Sequence, residues 1–105
     1  MGNWQDRIIA AHTEVAGENV SHMQRLKSRR YFVWQEDGFD DLEASGRHIE
    51  KAVTGSTDLF TPQEFDPWVD ALGESLSSHC IAWRLNSIQY EQETRLFHYE
   101  WTWTV

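Results

Sequence analysis

Residues 80–105, CIAWRLNSIQYEQETRLFHYEWTWTV, decide the fold. The segments Cys80 to Tyr90 and Thr94 to Val105 are rich in aromatic and β-branched residues, and Glu91-Gln92-Glu93 supplies a reversal between them. They read as an antiparallel hairpin. In the second segment Phe97, Tyr99, Trp101, Trp103 and Val105 share one face, while Leu96, His98, Glu100, Thr102 and Thr104 share the other. That alternation is the mark of a sheet with one buried face. In the first segment Ile81, Trp83 and Leu85 alternate, then the apolar phase moves to Ile88 and Tyr90, which predicts a bulge near Asn86-Ser87.

Immediately upstream lies a helix with two competing start signals. Thr61-Pro62-Gln63-Glu64 is a capping box with proline at the first helical position, and Asp66-Pro67 offers a second cap five residues on. A helical turn at 62–65 leading into a main helix at 67–77 satisfies both. Phe65, Trp68, Val69, Leu72 and Leu76 then form one apolar stripe facing a sheet.

Before that helix, residues 47–59 read as a strand, with Ile49, Lys51, Val53, Thr57 and Leu59 on one side and Gly55 marking a bulge or a close backbone approach. The segment from Asp37 to Gly46 carries two glycines and four acidic residues and is expected to be an exposed, mobile loop. Residues 20–26 and 30–36 read as two strands joined by the basic turn Lys27-Ser28-Arg29, although the phase of the first is poor. Trp4, Ile8, Ala11, His12 and Val15 recur at helical spacing and Gly17 follows as a cap, giving a first helix over 3–16. The element order is α-β-β-β-α-β-β, with no internal repeat or linker.

Composition bounds what this order can be. A chain of 105 residues, 40% hydrophobic, is one domain spanning 1–105, able to bury roughly 65% of its unfolded surface. Its apolar runs are far shorter than the ~20 residues of a membrane helix, and its N-terminus lacks a basic region followed by an apolar one. The Met1-Gly2 start carries Asp6 where a myristoylation signal wants Ser or Thr. These features predict a protein of the cytoplasm in which it is made, without membrane contact. The lone Cys80 excludes an internal disulfide and agrees with a reducing compartment. A net charge of -8 argues against direct nucleic-acid binding. The basic cluster Arg25, Lys27, Arg29 and Arg30, set against the acidic run Glu36, Asp37, Asp40, Asp41 and Glu43, suits a charged protein neighbour better, or simply a solvated turn.

The run Arg30-Tyr31-Phe32-Val33-Trp34, the acidic turn Gln35-Glu36-Asp37-Gly38, and the segment Val53 to Thr61 ending in Asp58-Leu59-Phe60-Thr61 before Pro62-Gln63-Glu64-Phe65-Asp66-Pro67-Trp68 together resemble the tail-terminator (tail-completion) proteins of long-tailed bacteriophages. Minor tail, head-completion and head-tail joining proteins share similar element orders. The resemblance implies an α+β fold with two helices packed on one face of a mostly antiparallel sheet. It also implies a homomeric ring, commonly of six subunits, that stops growth of the tail tube. Its partners would be copies of itself, the tail-tube protein and the head-tail connector, first in the bacterial host cytoplasm and then in the virion of a phage or prophage. It carries over no individual functional residue.

Sites for chemistry are weak by comparison. The five histidines, at 12, 22, 48, 79 and 98, form no zinc-type pairing, and His79 and Cys80 are adjacent, so on a strand they would point to opposite faces. Asp37-Gly38-Phe39-Asp40-Asp41 is dense in oxygen ligands but lacks EF-hand spacing. No cofactor or metal is expected, and no catalytic constellation. Phe39 and Leu42, apolar in an acidic loop, either mark a partner site or fold back over the sheet edge. Of the six tryptophans, Trp4, Trp68, Trp83 and Trp101 lie on apolar faces, whereas Trp34 and Trp103 are free to face a neighbouring subunit. The candidate interface is therefore Arg25, Lys27, Arg29, Arg30, Trp34, Phe39, Asp40, Asp41 and Leu42. The rival reading is an acidic inhibitor or immunity-type protein that blocks a basic partner, for which the charge is the support.

Overall fold

Two helices pack on one face of a five-stranded sheet whose strand order is β1-β2-β3-β5-β4. The computed structural model describes residues 3–44 and 47–105, with side chains described outside 40–51. The elements are α1 (Trp4–Ala16), β1 (Val20–His22), β2 (Tyr31–Ala44), β3 (Arg47–Thr61), α2 (Pro67–Ser78), β4 (Ala82–Glu91) and β5 (Leu96–Thr104). The order along the chain is the expected α-β-β-β-α-β-β, and every strand pair is antiparallel except β1 with β2.

The helical face carries the main core. Phe32, Trp34, Val53, Leu59, Tyr99, Trp101 and Trp103 from the sheet meet Ile8 and Ala11 of α1 and Leu72 and Leu76 of α2. Cross-strand pairs line these residues up, Phe32 with Leu59 and Leu59 with Tyr99, so alternation along each strand delivers one continuous apolar layer. The two helices are tied to each other where the Ser75 hydroxyl donates to the Ala11 carbonyl at 2.7 Å. Arg7 donates to the carbonyls of His79 and Cys80, placing a cation at the C-terminal end of α2.

Of three register shifts in the sheet, between Leu85 and Ser87, Glu36 and Gly38, and Leu42 and Glu43, the first two set the phase of the described side chains. Asn86 is the extra residue between Leu85 and Ser87, so Trp83, Leu85, Ile88 and Tyr90 of β4 all face the helical side. Asp37 is the extra residue between Glu36 and Gly38, opposite Gly55, and it brings Phe39 onto the side of Val53. Gly55 is a close approach: a Cβ there would lie 2.3 Å from Cη2 of Trp103 and 2.4 Å from the Gln35 carbonyl. The bulge anticipated at Asn86-Ser87 and the role of Gly55 are both observed.

Three sequence expectations are corrected. The strands at 20–26 and 30–36 do not form a hairpin. β1 ends at His22, Met23 takes a left-handed φ of 68°, and the chain returns so that β2 runs parallel to β1. The return segment has a physical task on the far face, where Tyr31, Val33, Phe60 and Leu96 make a second apolar cluster that Leu26 packs against and Arg25 covers, 4.4 Å above the Phe60 ring. Of the stretch 37–46 expected as a loop, residues 37–44 are strand, and 45–46 lie outside the described residues. β2 continues through Ala44 and pairs with β3 from Arg47, forming a two-stranded arm past the point where β5 pairs with β3, and the molecule extends 52 Å along its longest axis. Backbone pairing with β3 outweighs the low strand propensity of Asp and Gly there. Finally, residues 62–65 form a turn, and Phe65 is 88% exposed instead of joining the α2 stripe.

Candidate assembly surfaces

The N-terminus of α2 organises one end of the molecule. Asp66 is the N-cap, accepting from the Trp68 amide at 2.9 Å, and its carboxylate also accepts from the Thr61 hydroxyl at 2.7 Å and from Arg30 at 2.5 and 2.8 Å. Burial pushes the Asp66 carboxyl up, but the hydrogen bonds from Arg30, Thr61 and Trp68 outweigh it and hold the group below its ordinary value. Arg30 also lies 3.8 Å above the Trp68 ring. The Tyr99 hydroxyl donates to the Glu64 carbonyl, fixing the turn that precedes α2.

The members of the basic cluster have different local surroundings, and only Arg30 is partly buried. Arg30 serves the α2 cap, Arg29 donates to the Thr94 carbonyl at 3.3 Å, and Arg25 stacks on Phe60 near Glu91. Lys27 is exposed. Trp34 is 4% exposed and Trp103 is 2% exposed, so neither is a surface residue. Trp34 lies between Trp4, His12 and His22, and the Trp103 indole donates to Thr57 at 2.9 Å. Phe39 is 57% exposed with its inner edge against Trp4, whose ring centroid is 5.9 Å away. In the arm, Asp40 pairs with Ala52, Asp41 with Lys51 and Leu42 with Glu50 along the backbone, and their side chains lie outside the described residues.

Sequence reasoning missed a second apolar flank. Phe65, Trp83, Ile88 and Tyr90 are exposed at 88%, 40%, 57% and 49%, and all lie on or beside β4. Between β4 and the start of α2 runs a groove of about 320 Å³ lined by Phe65, Val69, Ile88, Phe97 and Tyr99. The signal was available: Ile88 and Tyr90 are apolar on the first strand of the final hairpin, but nothing local says that this strand lies at the edge of the sheet.

Polar groups with special environments are spread over separate elements. His12 is fully buried, its Nδ1 2.7 Å from the Ile8 carbonyl and its Nε2 2.8 Å from the Thr57 hydroxyl, and burial pulls its pKa down to about 4. The His22 bond holds Glu36 below its ordinary value, and His98 meets Asp58 at 2.7 Å on the far face. Burial raises the hydroxyl pKa of Tyr31 and Tyr99. Among the described residues no group of three His, Cys, Asp or Glu side chains is placed to hold a metal ion. Among the described residues the exposed apolar side chains other than Ile9 lie along β4 and at the root of the arm.

The chain thus has an α+β fold with a five-stranded sheet and one helical layer. That fold is similar to a chain in the solved virion of a native gene transfer agent particle, with a TM-score of 0.57 and 10% sequence identity over 95% of this chain and 87% of that one. No family model matches the sequence, and no curated protein matches it.

Proposed function

We propose that this protein is a structural component of a phage-like particle, acting as a tail terminator: a homomeric ring at the end of the tail tube that meets the head-tail connector. The fold likeness to a virion chain over 95% of the sequence carries the reading. The arm and the two apolar flanks support it, because a ring subunit needs two different surfaces that meet head to tail. The role is structural and not catalytic, in the host cytoplasm during assembly and afterwards in the particle.

The experiment is to purify particles from producing cells, detect the protein by mass spectrometry and locate it by labelled electron microscopy. The expected result is label at one end of the tail, and tail tubes mixed with the protein become capped. Absence from particles, together with failure to cap the tubes of the same element, would overturn the reading. The acidic-inhibitor alternative rests on the charge of -8, and stoichiometric capture of a basic protein by a monomer would favour it.

A further inference from the structure

Apart from Ile9 on α1, the exposed large apolar side chains among the described residues segregate to two opposite margins of the sheet. Phe65, Trp83, Ile88 and Tyr90 flank β4, and Met23 and Phe39, at 54% and 57% exposure, flank β1 and β2. These are the two ends of the strand order. Each margin also carries open backbone. Among the described residues β4 is an edge strand of 10 residues, and β1 pairs with Phe32, Val33 and Trp34, so no strand pairs with the outer edge of β2 from Gln35 onward.

Edges of this length are templates for pairing, which proteins can blunt with charged side chains, proline, a bulge or a cover. β4 has neither lysine nor proline, and its bulge keeps Trp83, Leu85, Ile88 and Tyr90 on one face. We propose that β4 and the apolar groove beside it receive the β2 edge of a second copy of this chain. The inference rests on the assembly reading and names the surfaces that would build the ring.

Three observations choose this occupant. The uncovered run of β2 carries Glu36, Asp37, Asp40, Asp41 and Glu43 without a cation, so two such runs repel each other when paired. β4 carries Arg84 in its first half and its acid, Glu91, only at the far end, which makes it the complementary edge. Following the pairings, β4 runs antiparallel to β2, so joining the margins of two like-oriented copies adds an antiparallel pair and leaves the same two margins free at the ends. The contact is heterologous and propagates until it closes.

The join is also staggered. Gln35 lies level with Arg84, through Ser56 and Thr102, so pairing β4 with the β2 run beyond Gln35 offsets successive copies along the strands. Closure then needs strands tilted to the ring axis, as in a barrel.

The test uses the full chain in sedimentation and native mass spectrometry from about 1 μM to about 1 mM. The unmodified protein is expected to form an oligomer of one closed size. Ile88→Lys/Tyr90→Lys breaks one margin and Phe39→Lys the other. Each variant alone is expected to be monomeric with a cooperative melt that no longer depends on concentration, and the equimolar mixture to stop at a 1:1 dimer, because each partner keeps one intact margin. Hydrogen exchange on the unmodified protein gives a measurement free of variants: protection of the amides at 82–91 is expected to rise with concentration. A protein monomeric across the whole range, an oligomer whose β4 amides gain no protection, or Phe39→Lys dimerising by itself would overturn the inference. None of those results removes the protein from particles, and absence from particles would leave a demonstrated ring intact, so the two readings fail separately.

Discussion

The guanidinium of Arg30 grips the carboxylate of Asp66 through two nitrogens, at 2.5 and 2.8 Å, and the same carboxylate caps α2. One buried acid therefore joins the start of β2, the end of β3 and the first turn of a helix. Replacing Asp66 with Ala removes the cap and strands Arg30 and the Thr61 hydroxyl, and the expected cost is about 3 kcal/mol. Thr61→Ala is expected to cost about 1 kcal/mol, since it removes one of four bonds to a cap that stays in place. Chemical denaturation of the two variants checks the ranking, and equal losses would contradict the assignment of Asp66 as the cap.

Gly55→Ala is expected to destabilise the domain by about 3 kcal/mol, because the new methyl meets both the Trp103 ring and a main-chain carbonyl. Shrinking the ring in the same molecule, Trp103→Leu, relieves only part of the strain, since the Gln35 carbonyl cannot retreat. Thermal melts of the single and double variants measure the coupling.

Stability is expected to fall with acid through His12. The unfolded chain binds a proton on this residue below pH 6.5, whereas the folded chain resists until about pH 4, so stability drops as pH falls through that window. The loss is about 3 kcal/mol at its full extent. Denaturation at intervals between neutral pH and pH 4 is expected to show a slope that His12→Gln removes. Asp66 and Glu36, held below their ordinary values, add losses in the same direction at lower pH.

Cys80→Gly is expected to stabilise the protein by about 1 kcal/mol. Cys80 follows α2 with a φ of 60°, and the amides of Cys80 and Ile81 bond back to Ser77 and Leu76, the Schellman arrangement in which glycine is preferred. A lower melting temperature in the variant would mean that the thiol contributes more than its backbone strain costs.

Legibility in the sequence followed the range of the interactions. The final hairpin, the Asn86 bulge, the Gly17 cap and the tight spot at Gly55 depend on periodicity or on a single residue type, and all were readable. The two caps of α2 were both visible, and only geometry could show that Thr61 serves Asp66. The parallel β1 was not readable, because its reason is the distant pair Phe60 and Leu96, whose cluster Leu26 joins. The arm was missed because the strand identity of an acidic, glycine-containing run comes from its partner β3. Among the candidate interface residues, Phe39 is half exposed with one edge on Trp4, while Trp34 lies in the interior and Arg30 binds the α2 cap. The β4 flank went unseen because edge position is a property of the whole sheet.

β5 follows every other strand in the chain, yet it lies inside the sheet between β3 and β4. The seam it makes with β3 joins residue 54 to residue 104 and residue 61 to residue 97, the long-range closure on which folding speed depends. While the chain emerges from the ribosome, the β2–β3 hairpin and α1 can form at once, but β3 keeps an unsatisfied edge and Leu59 and Thr57 lack their cover until Tyr99 and Trp101 arrive. A nascent chain stalled before residue 96 would therefore be the aggregation-prone species, and loss of the final strand would open the middle of the sheet instead of trimming its rim.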